Sequence, residues 1–284
     1  MIKVVECPRD AMQGIKEFIP TTLKAEYLNS LLEVGFDTID FGSFVSPKAI
    51  PQLRDTAEVL SQLHLTSTSS KLLAIVANLR GAEDAVNFDE ISFIGFPFSV
   101  SETFQKRNTN SSIIESLKTV EGIQELCIKS NKKLVVYLSM AFGNPYEDEW
   151  NSEIVIKWAH TIAGTGVKII ALADTIGSST PASISYLMNA VIPMFPDVEI
   201  GAHLHSTPDK CIEKITAAYT SGCRRFDVAL NGYGGCPMAT DQLTGNVATE
   251  KLIQFFQENK LPNSIDQNKL NHAFELAGRV FSYH

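Results

Sequence analysis

The chain has 284 residues, an apolar fraction of 44% and a formal charge of −8, from 24 Lys and Arg against 32 Asp and Glu. That length and apolar content suffice for a large core, and the acidic balance excludes non-specific nucleic-acid binding while leaving room for a local basic pocket. Cys7, Cys127, Cys211, Cys223 and Cys236 are odd in number and form no C-x-x-C pair, which predicts reduced thiols in a cytoplasmic compartment; the opening "MIKVVECPRD" reads as a strand rather than a signal peptide, and no apolar run approaches the roughly 18 residues of a membrane span.

Short β-branched runs alternate with longer amphipathic stretches. The first strand is expected at 2–7, "IKVVEC", followed by a helix at 21–35 that stops at Gly35. Strands follow at 38–44, 71–78 and 90–96, then a helix at 110–131 with Ser and Asn at its start. A strand at 133–142 leads to a helix at 151–166, and strands at 168–175 and 198–205 lead to a helix at 209–222. The last strand is expected at 225–232, with two further helices near 249–258 and 267–281. Most of the strands are nearly continuous apolar runs, as parallel strands buried on both faces require. Eight such alternations without a Gly/Pro/Ser-rich linker predict an α/β fold, a (β/α)8 TIM barrel forming one catalytic domain over 1–284. The helices from about 249 would cover part of the barrel. A doubly wound open sheet is the competing fold; the missing G-x-G-x-x-G after the first strand argues against it.

Barrel enzymes assemble their sites at the carboxyl ends of the strands. There the sequence places Arg9, Asp10 and Gln13, then Asp40 and Ser43, Asn78, Ser101 and Glu102, Tyr137 and Ser139, Asp174 and Thr175, His203 and His205, and Asn231. Polar groups inside apolar strands are costly unless paired or ligating. In "GAHLHS" the two histidines stand at i and i+2, on one side of a strand. With Asp10 as carboxylate they suit a hexacoordinate divalent ion, Mg²⁺ or Mn²⁺, better than zinc, for which no thiolate cluster is present. Arg9 can stabilise negative charge developing on a substrate. Cys236, in the glycine loop "YGGCP", reads as an accessible thiol. The stretch "FQKRNTNSS" reads either as a solvated basic turn or as a phosphate site built from Lys106, Arg107, Asn108 and a helix start.

The combination "ECPRDAMQ", "FGSFVSPKAIPQ", "FQKRNTNSSIIES", "LSMAFGNPYE", "LADTIG", "AHLHS" and "YGGCPMATDQLTGNVATE" resembles the 3-hydroxy-3-methylglutaryl-CoA lyases, metal-dependent barrel enzymes akin to the Claisen-type synthases. The resemblance implies a divalent metal held by Asp10, His203, His205 and Asn246, with Arg9, Cys236, Asp40 and Asp174 in catalysis. It places substrate and coenzyme A contacts on Gln13, Ser43, Lys48, Arg107, Asn108 and Thr175. The implied reaction is cleavage of 3-hydroxy-3-methylglutaryl-CoA to acetoacetate and acetyl-CoA, with a small acyl-CoA, not nucleic acid or a membrane, as partner, in a homodimer. A Claisen-type synthase or hydroxy-acid aldolase, or a catalytically silent metal- or CoA-binding homologue, are the alternatives. Ala11, Asp40 and Ala171 depart from the family pattern, which has glycine, glutamate and serine there.

Overall fold

The computed structural model describes residues 2–235 and 244–282. Its eight strands are β1 (Lys3–Glu6), β2 (Thr38–Ser43), β3 (Lys71–Ile75), β4 (Ile91–Ser99), β5 (Lys133–Ser139), β6 (Ile169–Ala173), β7 (Glu199–His203) and β8 (Arg225–Val228). All pair in parallel in chain order, and β1 pairs with β8 to close the barrel. The expected (β/α)8 barrel is the observed one.

The strand sequences are continuous apolar runs because both faces are dry. One face packs under the surrounding helices, and the other fills the barrel. The interior has two halves. On the β3–β6 side Leu73, Ile75, Val135, Tyr137, Ile169 and Ala171 form a cluster separate from the outer core. On the β7–β8 side the interior is polar. Gly201 leaves space that the Arg225 stem fills: a Cβ there would lie 2.9 Å from Arg225 Cδ.

Several strands end earlier than the hydrophobic pattern suggests, each for a local reason. β1 stops at Glu6 because Pro8 opens the one-turn helix Pro8–Met12, where a missing N–H is harmless. β5 stops at Ser139, before Met140 with its φ of 59°. β8 stops at Val228, before a turn in which Asn231 has φ 56°. The stretch 104–112 is not a turn. Ser101 caps a helix Glu102–Thr109, Asn110 (φ 54°) ends it, and a capping box between Ser112 and Glu115 starts the next helix, Ile113–Lys129.

The two late helices are Thr249–Glu258 and Gln267–Val280. The second lies along the early helix Thr21–Leu32, where Phe281 meets Tyr27 edge-on and stacks on Tyr233 at 4.1 Å. Gly35, beyond the early helix, has φ +98° and sits against the Ser264 carbonyl, which a Cβ would meet at 2.3 Å.

Glu6 ties the barrel seam to this closing segment. Its carboxyl group accepts the Leu230 N–H at 2.8 Å and bonds Thr249 Oγ1 at 2.5 Å. Complete burial outweighs these bonds and lifts its pKa from the ordinary 4.5 to about 8. The folded chain therefore keeps a proton that the unfolded chain loses above pH 4.5, so stability falls as pH rises across the window from 4.5 to about 8. Glu6→Gln has no proton to lose. Its melting temperature is expected to decline less than the wild type's across that window in thermal unfolding; parallel declines would show that Glu6 is not held neutral.

Candidate active site

The short helix Pro8–Met12 turns Arg9 and Asp10 inward over the carboxyl end of the barrel, both buried. Arg9 Nε faces both Asp40 oxygens at 3.1 and 3.0 Å, and its Nη2 also pairs with Asp40. Its Nη1 donates to Asp10 Oδ1 at 3.1 Å and to Gln13 Oε1 at 3.0 Å, and Gln13 Nε2 returns a bond to Asp10 Oδ1 at 3.0 Å. The fork geometry of a guanidinium is what lets one side chain orient two carboxylates. Burial works against the charge on Arg9, but Asp40 and Asp10 outweigh it and hold its pKa above the ordinary value. Asp10 is likewise disfavoured by burial yet held below the usual carboxylate range by Arg9, the two histidines and Asn246. Asp40 goes the other way: burial raises it to about 6 against the pull of Arg9.

His203 is the last residue of β7, and His205 lies two residues on, its ring 5.4 Å from that of His203. Asp10, His203 and His205 each offer one donor atom, and the three atoms lie within 4.8 Å of one another. His203 Nδ1 stands 3.3 Å from Asp227 Oδ2, the carboxylate–histidine arrangement that fixes a ligand's tautomer and ring orientation. Burial, with His203 adding to it, lowers His205 to about 4, so its ring is neutral and has a lone pair to give.

The fourth expected ligand arrives by a different route. Asn246 forms an isolated antiparallel bridge with His205. Its Nδ2 donates to Asp10 Oδ2 at 2.7 Å and to the Tyr233 carbonyl at 2.9 Å. Its Oδ1 is buried and has no hydrogen-bond partner among the described residues. A bare amide oxygen beside a carboxylate and two imidazoles is a donor set that fits a hard divalent cation. Gly245 makes the approach possible, since a Cβ there would lie 2.1 Å from the Gly232 carbonyl oxygen.

Arg9, Asp10, His203 and His205 face a cavity of about 190 Å³. Arg9, Asp10, Gln13, Asn108, Thr175, His203 and His205, all expected site residues, line it. Its opposite wall is apolar, with Val45, Ile50, Ile75, Pro97 and Phe104. Tyr137 also lines it, edge-on to His203 at 5.5 Å, its hydroxyl buried without a partner among the described residues.

Other expected residues lie elsewhere. Asp40 stands behind Arg9. Ser43 spends its hydroxyl on backbone, donating to Ile75 O and accepting from Val45 N–H, both at 3.1 Å. Lys48 is exposed, just before the cavity residues Ala49 and Ile50. Arg107 is exposed and lies over the Tyr146 ring at 4.7 Å, while Lys106 pairs with Glu102. Asp174 is buried against Lys214 Nζ at 3.0 Å and Ser179 Oγ at 2.5 Å and is not among the cavity-lining residues. Cys236 falls outside the described residues.

Asp227 was not anticipated, although it carries the same signal as the others, a charge inside the apolar run "RFDVAL". Lys214 was not legible at all, because a lysine within an amphipathic helix ordinarily reads as surface.

A model of the family described as HMGL-like matches residues 3–276. The chain belongs to the HMGL-like family. The cytoplasmic 3-hydroxy-3-methylglutaryl-CoA lyase of Rattus norvegicus is 34% identical over 96% of this chain and 79% of its own length. A hydroxymethylglutaryl-CoA lyase of Bacillus subtilis is 32% identical over 94% of this chain and 88% of its own. Among solved structures, an HMG-CoA lyase of Acinetobacter baumannii in complex with coenzyme A and 3-methylmalate superposes with a TM-score of 0.91 at 30% identity, covering 99% of this chain and 92% of that one.

Two substitutions separate the ligand set from its supports. Asp227→Asn keeps the size of the group behind His203 but removes its charge, and Gly245→Ala displaces the arm that carries Asn246. Each is expected to weaken Mn²⁺ binding about 10- to 100-fold, the usual cost of losing an outer-shell partner, as read by electron paramagnetic resonance titration. Wild-type affinity in either variant would remove that residue from the support of the site.

Proposed function

We propose that this member of the HMGL-like family is a divalent-metal-dependent carbon–carbon lyase that cleaves 3-hydroxy-3-methylglutaryl-CoA to acetoacetate and acetyl-CoA. The observation that carries the reading is the meeting of Arg9, Asp10, His203 and His205 at one cavity, with Asn246 bonded to Asp10 through Nδ2 and its buried Oδ1 left without a partner among the described residues. The similar lyases support the substrate, and the Acinetobacter baumannii structure supports a coenzyme A thioester as its class. The four described cysteines are free and buried, which supports a reducing, cytoplasmic setting.

Asp10, His203, His205 and Asn246 would hold the cation, and Mg²⁺ or Mn²⁺ suits that mixture of oxygen and imidazole donors. When bound, it would supply Lewis-acid chemistry, lowering the pKa of the substrate's tertiary hydroxyl. The chain's own groups do the rest. Asp174 is engaged by Lys214 and Ser179 and does not line the cavity, so the hydroxyl proton is assigned to Asp40, which Arg9 connects to the cavity. Asp40, at about 6, is matched to accept a proton near neutral pH. As the carbon–carbon bond breaks, the hydroxyl-bearing carbon becomes the ketone of acetoacetate, and the bonding pair passes into the enolate of acetyl-CoA. Arg9, locked by Asp40 and Asp10, presents a permanent positive charge where the thioester oxygen gains its negative charge. Cys236 returns a proton to the enolate carbon, completing acetyl-CoA.

Purified protein supplied with Mg²⁺ or Mn²⁺ and the thioester is expected to release acetoacetate. Arg9→Met and Cys236→Ser are each expected to be about 10²- to 10⁴-fold slower. Condensation of acetyl-CoA with a 2-oxo acid in place of cleavage would make the chain a synthase. Metal and coenzyme A binding without turnover of any thioester would make it a silent homologue.

A further inference from the structure

Lys214 lies in the helix Cys211–Thr220, yet its side chain is only 2% exposed. Its ammonium group donates to the His205 carbonyl at 2.7 Å, to Asp174 Oδ2 at 3.0 Å and to the Gly177 carbonyl at 3.2 Å. That uses the three donors an ammonium has. A lysine is rarely buried, and the carboxylate that balances this one, Asp174, also accepts from Ser179 Oγ and the Ser179 N–H. Neither Lys214 nor Asp174 lines the cavity.

The contacts of Lys214 converge on the metal-ligand arm. The His205 carbonyl is fixed directly. Gly177, with φ +71°, packs against Thr244: a Cβ there would lie 2.7 Å from Thr244 Cγ2. Thr244 leads through Gly245 to Asn246, which bridges back to His205. One ammonium thus ties the loop after β6, the residue two beyond the end of β7, and, through Thr244, the segment carrying Asn246.

We infer that Lys214 is a positioning residue for the metal site, setting the backbone of His205 and the approach of Asn246, with Asp174 as its counter-ion rather than as a catalytic base. The inference rests on the ligand set assigned above, and its readout is metal affinity rather than turnover.

The test compares four proteins by Mn²⁺ titration and thermal unfolding: wild type, Lys214→Met, Lys214→Arg and the double variant Lys214→Met/Asp174→Asn. Lys214→Met leaves Asp174 buried without its cation and is expected to lose stability. The double variant removes both charges and is expected to regain most of the melting temperature while binding Mn²⁺ about 10- to 100-fold more weakly than wild type. Lys214→Arg is expected to restore part of the affinity. A double variant with wild-type Mn²⁺ affinity, or one whose loss of affinity merely tracks its loss of stability, would overturn the role of Lys214. Failure of the wild type itself to bind Mn²⁺ or Mg²⁺ would overturn the ligand set on which that role rests.

Discussion

Charge that is out of reach of water must be balanced on the spot, and the carboxyl end of this barrel is organised by that constraint. Asp10 and Asp40 are buried there together, and Arg9, bonded to both, is the group that makes the pairing tolerable, with the two histidines and Asn246 adding to it at Asp10. The guanidinium does so without neutralising them equally: Asp10 stays low while Asp40 rises to about 6. Two carboxylates contacting one cation are thus held at different affinities for a proton. Lys214 repeats the device at the His205 carbonyl, with Asp174 as its carboxylate partner among the described residues. Removing either cation would leave an uncompensated buried anion, which costs far more than the ion pair gains.

The same constraint explains why the barrel interior is divided. The half over β3–β6 is mostly apolar, filled by Leu73, Ile75, Val135, Ile169 and Ala171, with Tyr137 at its border with the polar half. The polar half needs partners for every group. Ala171 and Gly201 are small where Tyr137 and Arg225 are large: Tyr137 pairs with Ala171 across the ladder, Ala171 with Gly201, and the Arg225 stem lies over Gly201. Small residues on two strands make room for long polar ones on the strands either side.

Much of this was legible in the sequence. The eight strands and both closing helices follow from hydrophobic period alone, because each strand is buried on two faces. The rim residues Arg9, Asp10, His203 and His205 were legible because a charge or an imidazole in an apolar run has few innocent explanations. Strand ends were less so: Met140 and Asn231 take left-handed backbone conformations that no periodicity announces. Asn246 was legible only through the family resemblance, since an asparagine in a loop is commonplace. What recruits it is a two-residue bridge to His205, a tertiary contact with no local signature. The exposed positions of Lys48 and Arg107 show the converse: basic residues in a recognisable motif say little about where their charges end up.

The Asn246–Asp10 bond joins residues 236 positions apart in the chain. The cluster of Asp10, His203, His205 and Asn246 therefore cannot pre-exist in a partly folded fragment: it forms only when the turn after the first strand and the loop after the last strand have met around the finished ring. Contacts of such long sequence separation form late and slowly. During synthesis, a nascent chain lacks the complete cluster until Asn246 has been added. In the metal-bound form proposed above, an ion held there would latch the amino and carboxyl regions together, and cation supply would then be linked to persistence of the folded ring.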